Sequence, residues 1–344
     1  MPDGADHRRS AGWEKYPPTV ADRLAGEDDA DLIVGRKLQD GSLKLSDRIT
    51  TSAKASRTGG SQVYLEEGET FTLDDTMTAV VVHSANDAAV AVAEYVAGST
   101  DAFVVMMNQT AEQMGLKDTH YYSVDGLPPD PGQQADVSSA YDLAVMAREL
   151  VKSPDILRWS SIDTAPFRNG AFILRNSNHL VRTYAGCDGL KTGFYYKAGF
   201  NVVATAHRGE SRFIAVVLGS ANKKQNFQLA AELMSQGFAE YEVRQIARVG
   251  KPIDRKVSVR GGESMSIEPV WGSDAAIFLK RDEPKEVYSF AYKLPASVTA
   301  PLKAGQQIGT AEVVIDGKVQ QVVPLIAPAA VAQGSLLWRL IGML

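Results

Sequence analysis

"CDGLKTGFYYKAGFN" (Cys187–Asn201) carries a Lys-Thr-Gly triplet at the start of a run that reads as a buried strand. The stretch that follows, "NVVATAHRGESRFIAVVLG", changes to an apolar period of two on both sides of Arg208-Gly209-Glu210, which predicts two strands around a turn. "QNFQLAAELMSQGFAEY" then returns to helical spacing. Upstream, "TLDDTMTAVVVHSANDAAVAVAEYVAG" has an Asp-rich start, an Ala/Val interior and a terminal Gly98, the pattern of a helix, a short break and a second helix. "DAFVVMMNQTAEQMGL" and "SSAYDLAVMARELVKS" each carry one apolar helical stripe, with Gly115 as the stop of the first and Ser138 or Ser139 as the N-cap of the second. Helices and strands in this order predict a mixed α/β domain.

Beyond Gly250 the text breaks into short strands separated by Gly, Pro and Asp, such as "KVSVRGGESMSI" and "GTAEVVIDGKVQQVVPLI", and predicts a small all-β domain. The expected division is an atypical, poorly ordered segment over 1–35, a main domain over 36–248 and a β-rich domain over 249–328. A linker, "APAAVAQG", and a short amphipathic helix, "SLLWRLIGML", complete the expectation over 329–344. That last helix suits either a peripheral membrane contact or a cap on the β domain.

A chain of 344 residues with 44% hydrophobic and 22% charged residues has the composition of a globular protein with room for two cores. Its net charge of -5 and scattered basic residues argue against a nucleic-acid partner. A lone cysteine, Cys187, forms no intrachain disulfide and reads as a small packing residue, and the five histidines show no metal-ligand spacing. The first residues lack the apolar core of a secretory signal peptide.

Two short motifs carry the chemistry. Lys191 and Thr192 at a strand edge offer an ammonium and a hydroxyl to a substrate carboxylate, and Gly193 admits close backbone approach. Ser84-Ala85-Asn86 sits at the break between two helices, where Ser84 can relay a proton and Asn86 can bond a substrate amide. Read alone, each triplet has a plainer meaning: a solvated lysine before a hairpin, or an N-cap. Asn176 and Asn178, in "RNSNHL", either line the same cleft or form turns.

Together the triplets match two of the three motifs of penicillin-binding proteins and class A β-lactamases, S-x-x-K, S-D-N and K-T-G. The text around them, from "SANDAAVAVAEYVAGSTDAF" to "GCDGLKTGFYYKAGFNVVATA", closely resembles the low-molecular-mass D-alanyl-D-alanine carboxypeptidases. The resemblance implies an α/β penicillin-binding-protein-like transpeptidase fold, with an antiparallel sheet between helices and a C-terminal all-β domain. It also implies a serine-type reaction that removes the terminal D-alanine from a peptidoglycan stem peptide, with β-lactams trapping the same serine in an intact relative. Ser84 and Asn86 would be catalytic, Lys191, Thr192 and Gly193 substrate-binding, and no metal or organic cofactor is implied. The implied location is the periplasm or the outer face of the cytoplasmic membrane.

The resemblance fails at the nucleophile. Counting back from Asp40-Gly41, the tetrad falls on "RLAGEDD", where Leu24 and Glu27 stand in place of serine and lysine. Two other stretches have the spacing, Ser220-Ala221-Asn222-Lys223 and, with threonine first, Thr51-Ser52-Ala53-Lys54, but both are expected outside a central helix. A shifted reading frame or start upstream of Lys37 is one reading, and a non-catalytic relative that binds cell-wall peptide is another. In both, the chain as it stands forms no acyl-enzyme. A β-lactamase-like hydrolase is a third reading, for which no deacylating glutamate is identified.

Overall fold

The computed structural model describes residues 25–129, 131–284 and 287–335. Two compact units divide the chain, one ending at Phe238 and the other starting at Ala239. In the first, α1 (Ala25–Gln39) leads to the short strand β1 (Arg48–Thr50), its antiparallel partner β2 (Thr70–Thr72), and helices α2 (Leu73–His83), α3 (Asn86–Ala97) and α4 (Thr100–Gln113). Next come α5 (Ala140–Leu150), α6 (Pro154–Ser160), the hairpin β3 (Thr164–Phe167) with β4 (Phe172–Arg175), and the one-turn α7 (Leu180–Thr183). Strands β5 (Cys187–Tyr195), β6 (Gly199–Arg208) and β7 (Ser211–Ser220) form an antiparallel sheet in that order, followed by α8 (Lys223–Glu240).

The middle strand β6 is buried on both faces, because side chains alternate sides along a strand and Val202–Ala206 are buried at every position. Val203 of β6 faces a core built with Met77, Val80 and Val81 of α2, Val90 of α3 and Met146 of α5. Its neighbours Val202, Ala204 and Ala206 turn the other way, onto Ala230, Met234 and Phe238 of α8. Of the two N-caps the sequence offers for α5, Ser139 is the one used, its side chain accepting from the Asp142 N–H, and Thr72 caps α2 in the same way. Gly115, just past the end of α4, has φ +71°.

The segment expected to be poorly ordered up to residue 35 instead belongs in part to α1. Ala30, Ile33 and Val34 are buried and Leu38 packs partly against the same core. That is the i, i+3, i+4, i+8 stripe of an amphipathic helix, hidden in the sequence by the acidic run before it.

In the second unit, β8 (Tyr241–Ala247) pairs antiparallel with β12 (Ala275–Lys280). Its other strands are β9 (Val257–Arg260), β10 (Ser266–Ile267), β11 (Val270–Trp271), β13 (Tyr288–Lys293), β14 (Ser297–Thr299), β15 (Gln307–Ile315) and β16 (Lys318–Ile326). They form a four-stranded sheet, β11-β16-β15-β13, and a three-stranded one, β10-β9-β14. Trp271, Ile277, Leu279, Val313, Val323 and Leu325 fill the core.

The β unit therefore starts ten residues before the expected 249, because the backbone of β8 finds its partner in β12. Nor is "APAAVAQG" a free linker. Val331 exchanges backbone hydrogen bonds with Leu302 at 2.9 and 3.0 Å, and the Gly334 N–H donates to the Gly261 carbonyl at 2.9 Å. The expected helix over "SLLWRLIGML" lies outside the described residues from 336 onward.

Candidate active site

Between α2 and α3 the chain makes a sharp break. Ser84 closes α2 in the left-handed conformation, φ 56° and ψ 47°, which a residue with a Cβ adopts at a cost of about 1–2 kcal/mol. Ala85 is extended and α3 begins at Asn86. The turn aims the Ser84 hydroxyl at the sheet. There the Lys191 ammonium donates to Ser84 Oγ at 2.5 Å, joining two motifs 107 residues apart in sequence.

Lys191 sits on β5, opposite Val203 in the ladder with β6, and Thr192 and Gly193 pair with Val202 and Asn201. As the terminal strand of the sheet, β5 has β6 as its ladder partner on one side. Lys191 is 1% exposed, so its ammonium lies beneath the surface rather than at a carboxylate-binding rim as the sequence suggested. It also makes a long contact of 3.5 Å to the Thr192 carbonyl. Burying a charge in this way demands hydrogen bonds to it, and Ser84 supplies one.

Asn86 is also fully buried. Its Nδ2 donates to the Gly59 carbonyl at 2.8 Å and its backbone N–H to the Ser61 carbonyl at 2.8 Å. The Oδ1 atom has no hydrogen-bond partner among the described residues. Residues 59–65 thus form a strap across the helix break. Gly60 is required there, since φ is +84° and a Cβ would come within 2.3 Å of Asn86 Nδ2. Asp87, buried, staples the far end of the strap by accepting from the Val63 N–H at 3.2 Å and the Leu65 N–H at 3.0 Å.

A cleft of about 190 Å³ opens beside this junction. Ser61, His83 and Ser84 line one side, Thr192, Gly193, Phe194, Phe200 and Asn201 come from the sheet, and Lys223, Asn226 and Phe227 come from α8. Ser61 Oγ donates to the His83 carbonyl at 2.9 Å. Burial pushes the His83 imidazole below its ordinary value, against the opposing pull of its bond to the Arg175 backbone and of the Asp87 charge. On the far wall His179 stacks on Phe227 with ring centroids 5.2 Å apart. Burial and then the Lys223 charge lower its pKa too.

Of the five residues singled out by sequence, Ser84, Thr192 and Gly193 line the cleft, while Lys191 and Asn86 lie behind its wall. Asn176 and Asn178 do not line it. They tie loops down, with Asn176 Nδ2 donating to the Ser160 and Ile162 carbonyls at 3.0 and 2.7 Å, and Asn178 Nδ2 to the Gly189 carbonyl at 3.0 Å. Cys187 is buried, with its thiol pushed up to about 11 by desolvation. Sequence reasoning missed Ser61, His83 and Asp87, and weighed Lys223 only as the end of a stray tetrad. The acid directly after Asn86, in the first turn of α3, was the one available signal for Asp87.

Neither stray tetrad pairs its own members. Ser220 Oγ donates to Asn226 Oδ1 at 3.2 Å instead of meeting Lys223, and Lys54 Nζ donates to Thr100 Oγ1 at 2.5 Å instead of meeting Thr51. No cluster of His, Cys, Asp and Glu among the described residues is arranged to hold a metal ion.

Residues 30–222 match the D-alanyl-D-alanine carboxypeptidase family and residues 241–333 match the C-terminal domain of penicillin-binding protein 5. D-alanyl-D-alanine carboxypeptidase DacF of Bacillus subtilis is 33% identical over 299 residues, 86% of this chain and 76% of the relative. Penicillin binding protein 5 from Haemophilus influenzae superposes with a TM-score of 0.67 at 28% identity, covering 93% of this chain and 91% of the other. Penicillin-Binding Protein D2 from Listeria monocytogenes, solved in its ampicillin-bound form, gives a TM-score of 0.56 at 27% identity over 64% of this chain and 87% of the other.

Proposed function

The chain belongs to the D-alanyl-D-alanine carboxypeptidase family, and from that premise we propose that its cleft binds the D-Ala-D-Ala end of a peptidoglycan stem peptide without forming an acyl-enzyme. The observation that carries this reading is the 2.5 Å contact between Lys191 and Ser84, which brings the sheet motif and the helix-break motif to one cleft. Ser84, Asn86, Lys191, Thr192 and Gly193 are its working residues.

In this reading the peptide lies along β5, where Gly193 leaves room for its backbone and the Thr192 hydroxyl meets a polar group at its end. Lys191 holds the Ser84 hydroxyl oriented as a donor or proton relay, and the strap over Asn86 fixes the other wall. A covalent step needs a nucleophile with an adjacent base. Leu24 and Glu27 provide neither at the expected positions, and the pairings of Ser220 with Asn226 and of Lys54 with Thr100 argue against substitutes. Loss of a nucleophile removes on the order of a million-fold in rate, leaving recognition as the retained property.

Peptidoglycan lies outside the cytoplasmic membrane, so the reading assigns the chain to the periplasm or the outer membrane face. Titration calorimetry with an N-acetylated tripeptide ending in D-Ala-D-Ala tests it. Saturable binding that weakens in Thr192→Val and is absent for the L-Ala-L-Ala isomer supports the proposal, and equal heats for both isomers would defeat it.

A further inference from the structure

We infer that Lys223, rather than Lys191, is the cation that receives the peptide's terminal carboxylate and sets a preference for a free C-terminal acid; this rests on the peptide-binding reading above. The sequence assigns that task to Lys191, but that residue is 1% exposed, its ammonium is tied to Ser84, and it does not line the cleft. Lys223 does line it, is solvent-exposed at the first residue of α8, and lies 6.0 Å from the Phe227 ring centroid.

Among the described residues the Lys223 ammonium has no ion pair and no hydrogen bond, and the Thr192 hydroxyl on the same cleft has no hydrogen bond. Two other donors on the wall are engaged within the protein: Ser61 Oγ donates to the His83 carbonyl at 2.9 Å, and Asn201 Nδ2 donates to the Gly199 carbonyl at 3.2 Å. Of the other cationic groups near Lys223, Arg182 pairs with Asp163 at 3.3 Å, burial shifts His83 and His179 toward the neutral form, and the adjacent Lys224 does not line the cleft. A carboxylate bridging Lys223 and Thr192 gains one charge-assisted bond and one neutral bond, and a carboxamide in the same place meets an ammonium that finds a weaker acceptor.

The test compares the N-acetylated tripeptide acid with its C-terminal carboxamide on the wild-type chain, Lys223→Gln and Lys223→Arg. Expected results are that the wild type favours the acid by about tenfold or more, that Lys223→Gln erases this preference by weakening the acid alone, and that Lys223→Arg keeps it. Added salt weakens the acid complex and spares the amide. Because Lys223 is exposed and α8 keeps its buried face, Lys223→Gln retains the wild-type thermal midpoint. An acid preference that survives in Lys223→Gln overturns the assignment while leaving peptide binding intact. Failure of the wild type to bind either form overturns both.

Discussion

The Lys191 ammonium lies 2.5 Å from Ser84 Oγ, so a strand residue with 1% exposure and a helix-break residue in the left-handed conformation hold each other in place. Removing the lysine side chain leaves a cavity in the core and a hydroxyl without this donor. Lys191→Ala is expected to lower unfolding stability by about 2–4 kcal/mol, read from urea denaturation, and to weaken tripeptide binding at the same time. Unchanged stability would mean that the contact does not form.

Gly60 is the second site where geometry dictates residue type. With φ +84° and Asn86 Nδ2 2.3 Å from any added Cβ, Gly60→Ala must push the strap away from the carboxamide. A stability loss of about 1–3 kcal/mol is expected, together with faster proteolysis between residues 59 and 65, where a wild-type cleavage pattern would show the strap to be dispensable.

How much of this was legible in the sequence follows from the kind of signal each feature leaves. Apolar patterning marked α2 through α5, β6, β7 and α8, because the helices each bury one face against a core and β6 packs on a core at both faces. Helix α1 was missed since charged residues precede its apolar stripe, and β8 was divided wrongly since its residues are half-buried almost throughout and leave no alternation. The Ser84 and Lys191 motifs were visible as residue types, yet no sequence pattern distinguishes a buried ammonium from a rim ammonium. That distinction emerges from the burial of Lys191 on β5 and from the exposed Lys223 of α8 lining the cleft.

Asp136 makes stability depend on pH. Burial lifts its carboxyl from 3.8 to about 6, against the lowering effect of bonds from the Tyr122 N–H at 2.6 Å, the Ser123 hydroxyl at 2.9 Å and the Ser123 N–H at 3.0 Å. A folded-state pKa above the unfolded one means that the native state holds this proton more tightly. Its contribution is full below the unfolded value and is lost as pH rises through about 6. Asp136→Asn keeps acceptors for the two N–H groups and a donor for the Ser123 hydroxyl, and should flatten the fall of the urea midpoint between about pH 4 and pH 7. An unaltered slope in the variant would assign the pH dependence to other groups.

Asp87 acts as a staple between α3 and the strap. Its carboxylate accepts from the Val63, Leu65 and Ala88 N–H groups, and Asp87→Ala leaves those buried donors unpaired. A loss of about 2–4 kcal/mol is expected, and hydrogen exchange at Val63 and Leu65 should rise by at least tenfold. Exchange rates equal to those of the wild type would rule out the staple.

Recognition divorced from acylation is decided most directly by intact-protein mass spectrometry after prolonged incubation with excess benzylpenicillin. The expected spectrum contains the unmodified chain alone. A species heavier by one penicillin, mapping to any serine or threonine of the chain, would show that a working nucleophile is present and that the account is wrong.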